Sequence, residues 1–194
     1  HHGLYECTLT VPLAFKFPGK TRSTRLQDIC QLKDLMPTLL DLMGIATDIP
    51  FDGRNLMKRV RGEAFEQECE MYITECTWMR KHGWRTPEWK LIMALEPDFH
   101  YKPAVELYNL IHDPQELNNV AEQNPETVAW LRGRLEAHVA RRTAATGRQN
   151  PMETNLDWHG QGCGPFKTSD QAYNTMHIGD PEAARRLQAD KAKK

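Results

Sequence analysis

The chain has 194 residues, which is enough for one domain with its own hydrophobic core or for one part of a larger domain. Its 25 lysines and arginines nearly balance its 26 aspartates and glutamates, and the resulting net charge of −1 favours neither a nucleic-acid partner nor an acidic surface. No apolar run approaches the roughly 18 residues that a membrane-spanning helix needs, so we expect no membrane partner.

The first 19 residues read as a polar loop, a short helical turn and an apolar strand. Val11, Leu13, Phe15 and Phe17 alternate with other residues, and Pro18-Gly19 ends the run. Such a strand needs a neighbour on each side, and no other run in the chain supplies a parallel partner. The sequence also has no starting methionine. We therefore expect an interior strand of an α/β sheet, in the C-terminal piece of a longer protein.

Apolar residues at helical spacing predict a helix over residues 35–43, with its apolar face covering a sheet. Asp34 is a suitable N-cap, Pro37 lies in the first turn where its missing N–H costs nothing, and Gly44 follows as a C-cap. Residues 51–56 read as a turn. Residues 57–70 are rich in charge and read as a connection.

Four short β-rich runs follow, and their close spacing predicts an antiparallel sheet. The runs cover residues 71–75, 78–86, 89–95 and 105–110, with a hairpin or bulge expected in the second run at His82-Gly83. A helix over about residues 125–145 should pack on this sheet through Val128, Leu131, Leu135 and Val139.

The segment Asp113-Pro114-Gln115-Glu116 has the composition of a helix start, with Asp113 as cap and Glu116 completing a capping box. The chain beyond Gly147 is polar. We expect an extended arm over residues 150–170 and one short helix between Asp180 and Ala189.

Several of these segments, in this order, resemble the sulfatases of the alkaline-phosphatase superfamily. They are Gly3-Leu4-Tyr5-Glu6 with Val11-Pro12-Leu13, residues 34–45, residues 51–56, Trp84-Arg85-Thr86 with Lys90-Leu91-Ile92, and residues 107–119. Asn55 and Asn109 stand where the family usually has Ser and Asp. The resemblance covers roughly residues 1–140.

The resemblance implies an α/β fold in three parts. Residues 1–60 would be the C-terminal end of an alkaline-phosphatase-like α/β core. Residues 61–145 would form a small α+β subdomain of about four antiparallel strands and a C-terminal helix. Residues 146–194 would be an extended tail with one short helix.

The resemblance also implies where the chemistry lies. The loop before Gly3 supplies a Lys or His to the sulfate in this family, so His1 and His2 are the candidate catalytic residues, and the pattern does not say which of them contacts sulfate. The alternative is the remnant of a purification tag. Arg80 and His82, expected near a hairpin tip, are candidate substrate-binding residues.

The family's nucleophile is a formylglycine, and its divalent metal, usually calcium, is held by Asp and Asn residues. Both would lie upstream of residue 1, so this piece alone should be inactive and should supply no metal ligand. Cys163-Gly164-Pro165-Phe166-Lys167 is similar to the nucleophile motif, but Lys167 stands where the motif needs Arg. We therefore do not expect Cys163 to be a nucleophile.

The remaining cysteines and histidines show no metal-binding pattern. Five scattered cysteines without a C-x-x-C pair argue against a disulfide framework or zinc site, so we expect reduced thiols. The histidines after residue 2 show neither H-x-H nor H-x-x-x-H spacing, which argues against zinc as well. These histidines are His82, His100, His112, His138, His159 and His177.

The expected substrate is a sulfate ester of a small molecule or carbohydrate, hydrolysed by the full-length protein. A phosphonate monoester or phosphodiester hydrolase of the same superfamily is the closest alternative, and a non-catalytic binding module is a third. Neither the particular ester, nor the oligomeric state, nor the compartment, which could be cytoplasmic, periplasmic or secreted, follows from the sequence.

Overall fold

The structure is a computed structural model, and it falls into two compact units. One unit contains the segment up to Thr10 together with the chain from Met71, and the other spans Val11–Glu70. The boundaries expected from the sequence, after residues 60 and 145, are not tested by this division and stay a prediction. The described residues are 3–19, 23, 25–26, 28–65, 68–76, 79–154 and 166–175.

The first unit is built on a four-stranded antiparallel sheet, as predicted. Its strands are β1 (Met71–Glu75), β2 (Lys81–Arg85), β3 (Trp89–Ala94) and β4 (Val105–Asn109). They pair in the order β1-β2-β3-β4. The expected break at His82-Gly83 is wrong, because both residues lie in the middle of β2. A Cβ on Gly83 would come 2.1 Å from the Leu91 carbonyl oxygen, so this glycine permits a close approach of strands and marks no turn.

One face of the sheet is covered by the predicted long helix, α4 (Pro125–Thr146). Leu131 and Leu135 on α4 are buried against Trp84, Leu91 and Leu107 on the sheet. The helix ends where Gly147 adopts the left-handed conformation, with φ of 65°. Each buried side chain of this size contributes roughly 1.5–3 kcal/mol, so this contact accounts for much of the unit's stability.

The N-terminal segment covers the opposite face of the sheet. Residues Glu6–Leu9 form the short helix α1. Leu4, just before it, is 1% exposed and packs with Ile73, Ile92 and Tyr108. The sheet is therefore covered on both faces, by α4 and by the first ten residues.

The described part of the tail adds two further short helices to this unit. They are α5 (Pro151–Thr154) and α6 (Ser169–Thr175), so the arm expected over residues 150–170 is helical at its start. Ala172 packs in a buried cluster with Met79, Phe99 and Phe166. The short helix predicted between residues 180 and 189 lies outside the described residues. Among the described helices, none has both the length and the apolar character needed to cross a bilayer.

The second unit contains a short 3₁₀ turn (Leu32–Asp34) followed by the helices α2 (Leu35–Leu42) and α3 (Leu56–Arg61). The prediction of α2 is confirmed, but Asp34 does not cap it with its side chain. The Asp34 carboxylate accepts hydrogen bonds from the backbone of Gln31 and from Arg54. The turn at residues 51–56 is present, and α3 occupies the start of the expected connection.

The expected interior strand at residues 11–17 does not form among the described residues. This stretch has no strand pairing, and Val11, Leu13 and Phe15 are 57%, 45% and 36% exposed. The apolar face of α2 is likewise open within the described part of its unit, since Met36 and Leu39 are exposed. The physical reason is that no described strand offers its backbone to this segment, and a single strand without neighbours is not stable in water.

The predicted helix start at Asp113-Pro114-Gln115-Glu116 is also wrong. The Asp113 carboxylate accepts hydrogen bonds from the backbone N–H groups of Leu117 and Asn118, which closes a turn and starts no helix. Glu116 adopts a left-handed conformation with φ of 55°, which is uncommon for a residue with a side chain. The Glu116 carboxylate instead contacts Lys90 and the backbone N–H of Glu6.

Candidate functional site

The face of the sheet below the N-terminal segment carries charged side chains among its apolar ones. In the strand register Arg85 pairs with Lys90, which in turn pairs with Tyr108, so these three side chains lie in one row. Glu75 pairs with Lys81 at the other end of the same face. The two rows flank the apolar residues that pack against Leu4, so the N-terminal segment rests on apolar and charged groups together.

Lys90 is the centre of the first charged group. Its side chain is fully buried, and its Nζ lies 2.7 Å from Glu6 Oε1 and 2.7 Å from Glu116 Oε1. Arg85 Nε lies 3.1 Å from the same Glu6 oxygen. The backbone N–H of Glu6 donates to Glu116 Oε2 over 2.6 Å. We call these four residues the Glu6 anchor; two positive charges balance two negative charges within it.

The Glu6 anchor holds the Glu6 carboxylate in its charged form. Burial alone would raise the pKa of Glu6, but hydrogen bonds from Arg85 and Lys90 outweigh burial and lower that pKa to about 2. Glu6 is therefore ionised near neutral pH, and the anchor does not loosen by protonation there.

A second charged group fixes Tyr5. The Tyr5 hydroxyl donates to Glu106 Oε2 over 2.7 Å, and the Tyr108 hydroxyl donates to the same oxygen over 2.7 Å. Lys81 forms buried ion pairs with Glu106, at 3.3 Å, and with Asp98. Burial and the neighbouring Glu106 raise the pKa of both tyrosines, so both remain hydrogen-bond donors.

Gly3 is held at its carbonyl oxygen, which accepts a hydrogen bond from the Thr8 hydroxyl over 2.6 Å. Gly3 has a φ of 111°, and a Cβ there would lie 2.9 Å from the Tyr5 ring. The backbone that directly follows the two candidate histidines is thus fixed. His1 and His2 themselves lie outside the described residues.

Arg80 and His82 both lie near the tip of the β1–β2 hairpin. Arg80 is the last residue of its connection, residues 76–80, and His82 is the second residue of β2. The Arg80 guanidinium donates to the Met152 carbonyl oxygen over 2.9 Å, and its Nε lies 3.4 Å from Glu96. His82 is 6% exposed, its Nδ1 lies 3.1 Å from the Tyr72 hydroxyl, and burial lowers its pKa. Both side chains have protein partners, and their contact with substrate stays a prediction.

The metal and cysteine expectations can be compared only with the described part of the chain. There, no group of three or more His, Cys, Asp or Glu side chains has an arrangement that could hold a metal ion. Cys7, Cys30, Cys69 and Cys76 are free thiols, as expected. Cys163 lies outside the described residues.

Sequence reasoning does not bring the anchor residues together. Residues 85 and 90 belong to one motif and residue 116 to another, and no local pattern singles out Glu106. One available signal is strand alternation. It places Arg85 and Lys90 on the face opposite Trp84 and Leu91, so a cationic row was foreseeable. The partner Glu116 was not foreseeable, because its side chain reaches the row only through a left-handed backbone conformation.

The sequence matches one family model, described as "N-sulphoglucosamine sulphohydrolase, C-terminal", over residues 2–142. Arylsulfatase K of Homo sapiens is 28% identical over 167 residues, which cover 80% of this chain and 30% of that protein. Arylsulfatase K of Mus musculus is 30% identical over 146 residues, covering 70% of this chain and 26% of that protein. The chain therefore spans less than a third of the length of these curated relatives.

A bacterial relative and a solved structure are similar as well. Delta 4,5-hexuronate-2-O-sulfatase of Bacteroides thetaiotaomicron is 26% identical over 151 residues, covering 73% of this chain and 31% of that protein. A putative sulfatase of the same species has a solved structure with a TM-score of 0.47 and 25% identity, covering 61% of this chain and 27% of that one. With the family model matching residues 2–142 of 194, the chain belongs to the N-sulphoglucosamine sulphohydrolase C-terminal family of sulfatases.

Proposed function

We propose that this chain is the C-terminal part of a sulfatase, and that the full-length protein hydrolyses a sulfate ester. The observation that carries the proposal is the family match over residues 2–142, which includes the two sheet faces and the anchored N-terminal segment. The curated relatives are about three times as long as the matched part, which supports a division of the enzyme into an upstream portion and this one.

Within this proposal, His1 or His2 contacts the sulfate group. A protonated imidazole stabilises the negative charge that builds up on the sulfate oxygens, and it can give its proton to the departing alcohol. Both effects need the ring to be placed within hydrogen-bond distance of the reacting group. The fixed backbone of Gly3 and the burial of Leu4 support such placement, because only Gly3 separates His2 from Leu4 in the sequence.

The proposal assigns the formylglycine and the divalent metal, expected to be calcium, to residues upstream of His1. The described residues do not fit a metal site, since no cluster of three metal-binding side chains occurs among them. The part of this chain in the chemistry is therefore to supply the histidine loop and to hold its backbone in place.

A sulfated carbohydrate is the proposed substrate class. The name of the bacterial relative identifies it as a sulfatase of an unsaturated hexuronate, and the proposal extends a sugar substrate to this protein. Arg80 and His82 remain the candidate substrate contacts. Of the two, Arg80 is the better candidate, because its side chain is 14% exposed, whereas His82 is 6% exposed.

A rate comparison with the full-length protein tests the proposal. We expect turnover of an aryl sulfate well above that of an aryl phosphodiester, and a large loss of kcat when the correct histidine, His1 or His2, is changed to Ala. A strong preference for the diester would indicate the phosphodiester or phosphonate hydrolase instead. Turnover of neither compound would support a binding module.

A further inference from the structure

We propose that Tyr101 and Tyr173 form a binding subsite for one sugar ring of a sulfated carbohydrate chain, and this inference rests on the proposed function. Tyr101 lies in the connection between β3 and β4, and Tyr173 lies on α6. Their ring centroids are 5.9 Å apart, and their ring planes meet at 45°. The two side chains are 57% and 42% exposed, so both rings present apolar surface to solvent. We call these two residues the tyrosine pair.

The backbone of Tyr101 is held in a strained conformation. Its φ is 58°, in the left-handed region that Gly and Asn adopt most easily and that costs free energy for a larger side chain. Its N–H donates to the Asp98 carbonyl oxygen over 3.0 Å, which closes the turn. An exposed ring adds little to a hydrophobic core, so folding alone does not explain a tyrosine here. Such strain occurs preferentially at functional positions, which supports a binding role for this ring.

The tyrosine pair is held as one rigid surface. The Tyr101 hydroxyl donates to Asp170 Oδ1 over 2.8 Å, and Asp170 is the second residue of α6, the helix that carries Tyr173. Packing joins the same two segments, because Phe99 and Ala172 belong to one buried cluster. A ring that is already fixed loses little conformational entropy when a ligand binds, and this favours affinity.

The chemistry of this surface fits a sulfated sugar. The C–H groups on one side of a pyranose ring pack against the electron-rich face of an aromatic ring and leave the hydroxyls at its edge. The Asp170 carboxylate beside the tyrosine pair is an acceptor for such hydroxyls, since two oxygens offer more positions than the one that Tyr101 uses. Lys102, exposed and next to Tyr101 in the sequence, supplies a cation for a sulfate or carboxylate group of the chain.

Lys102 also connects this surface to the N-terminal segment of the same unit. Its Nζ lies 5.6 Å from the centroid of the Tyr5 ring, and the Tyr5 hydroxyl is held by Glu106 on the sheet. The tyrosine pair therefore lies beside the segment that the proposed function places in the chemistry. This arrangement suits a carbohydrate chain of several sugar units, of which only one carries the ester that is hydrolysed.

The test compares four variants of the full-length protein: Tyr101→Asn, Tyr101→Phe, Tyr173→Ala and Trp130→Ala. Tyr101→Asn removes the ring and places a residue that tolerates the left-handed conformation, so it should not lower the melting temperature. Tyr101→Phe keeps the ring and removes only the hydrogen bond to Asp170. Trp130→Ala is the matched control, because Trp130 is an aromatic residue of the same unit, 51% exposed, on the regular helix α4.

Two measurements use a hexasaccharide of alternating hexuronate and N-sulfated glucosamine units. Calorimetric titration gives the Kd of its desulfated, N-acetylated form, which a sulfatase cannot hydrolyse. Kinetics give kcat/KM on the sulfated form and on an aryl sulfate, which has no second sugar unit.

For Tyr101→Asn we expect the Kd to rise about tenfold, and the loss of kcat/KM on the hexasaccharide to exceed that on the aryl sulfate about tenfold. Tyr173→Ala should raise the Kd about 3- to 10-fold, and Tyr101→Phe should stay within about threefold of wild type. Trp130→Ala should match wild type in both measurements.

Several results would overturn the inference: no binding of the desulfated chain by the wild-type protein at millimolar concentration, an unchanged Kd in folded Tyr101→Asn, or an equal loss in Trp130→Ala. Self-association of the wild type that Tyr101→Asn abolishes without a change in Kd would overturn it too, because the tyrosine pair would then join two copies of the chain. If Tyr101→Asn does not fold, an unchanged Kd in Tyr173→Ala decides against the inference. A wild-type protein inactive on both esters would refute the proposed function, whereas the titration needs no turnover and would still decide whether the tyrosine pair binds a sugar.

Discussion

The two units of the molecule are stabilised in different ways. In the sheet unit, apolar side chains are buried on both faces of the sheet, Leu91 and Leu107 under α4 and Ile92 under the N-terminal segment. In the described part of the unit spanning residues 11–70, the only buried hydrophobic side chains are Leu56 and Met57. Nine large apolar side chains among the described residues of that unit are exposed: Val11, Leu13, Phe15, Leu32, Met36, Leu39, Met43, Ile45 and Ile49.

Polar contacts provide much of the order in the second unit. The Arg54 guanidinium lies 3.0 Å from the buried Asp34 carboxylate. The Thr38 hydroxyl accepts the backbone N–H of Leu56 over 2.9 Å, which joins α2 to α3. Thus the sheet unit obtains its core from chain segments within the described residues, whereas the second unit has local polar links and an apolar surface that no described residue covers.

The largest expected effect tests the charged face of the sheet unit. In Lys90→Met the Glu116 carboxylate loses its cation while buried, and Glu6 keeps only Arg85, so we expect the free energy of unfolding to fall by about 3–5 kcal/mol. Urea denaturation measures this change in the free energy of unfolding. Lys102→Met is the control, because Lys102 only lies over the Tyr5 ring, and we expect about 0.5–1 kcal/mol there.

A second change tests whether the cost comes from the Glu116 carboxylate. Adding Glu116→Gln to Lys90→Met removes the one buried charge left without a cation, since Glu6 keeps Arg85, so part of the stability should return. The loss of stability in Glu116→Gln alone is the reference. If adding Glu116→Gln to Lys90→Met lowers the stability by that same amount, the two residues do not act as a buried pair.

A pair of leucine substitutions compares the two units directly. Leu131→Ala removes a fully buried side chain of α4 and should cost about 2–5 kcal/mol of unfolding free energy. Leu39→Ala removes a side chain of α2 that is 39% exposed, and should cost less than about 1 kcal/mol in this chain. Equal losses in thermal and urea denaturation would contradict the difference in burial between the units.

Glycine substitutions probe close backbone contacts in each unit. A Cβ on Gly83 would lie 2.1 Å from the Leu91 carbonyl oxygen, and one on Gly53 would lie 1.9 Å from the Lys33 carbonyl oxygen. Gly83→Ala and Gly53→Ala should each cost about 1–3 kcal/mol, because the backbone must shift. The control is Gly133→Ala in α4, where no atom lies within 4 Å of the new Cβ. Gly133→Ala should stabilise the protein by about 0.5–1 kcal/mol, and a loss of stability there would contradict the open space found around this position.

Sequence patterns predicted the parts of the fold that depend on neighbours close in the chain. Each strand pairs with a strand adjacent in the sequence, and α2 and α4 follow from the apolar periodicity within each helix. The strand expected at residues 11–17 shows the limit of this reasoning. Alternation of Val11, Leu13 and Phe15 indicates the capacity to form a strand, but a strand also needs a partner backbone, and alternation says nothing about where that partner is.

The candidate site shows the same limit for polar residues. The motifs around Glu6, Lys90 and Glu116 are recognisable separately, as family landmarks or as a helix cap. Their convergence on one face of the sheet joins residues more than 100 positions apart, through the strand register and one left-handed residue. Local composition cannot predict such a contact, because Asp113-Pro114-Gln115-Glu116 fits a capping box as well as a turn.

The smallest expected effect is a difference between the two units in how their stability depends on pH. Burial lowers the pKa of His82, whereas in the unfolded chain the histidine titrates near pH 6.5, so below that pH the unfolded state binds more protons than the folded state. The stability that neutral His82 allows is therefore present above about pH 6.5 and is lost as the pH falls below it, by at most about 1.4 kcal/mol per pH unit.

The unit spanning residues 11–70 contains no histidine, so its stability should be nearly flat over the same range. Hydrogen exchange of peptides from each unit at pH 7.5 and pH 5.5, corrected for intrinsic rates, measures the change in stability of each unit with pH. His82→Gln keeps a polar group beside Tyr72 without a titrating ring, and it should remove most of the slope of the sheet unit. If the slope persists in His82→Gln, burial of His82 does not set the pH response.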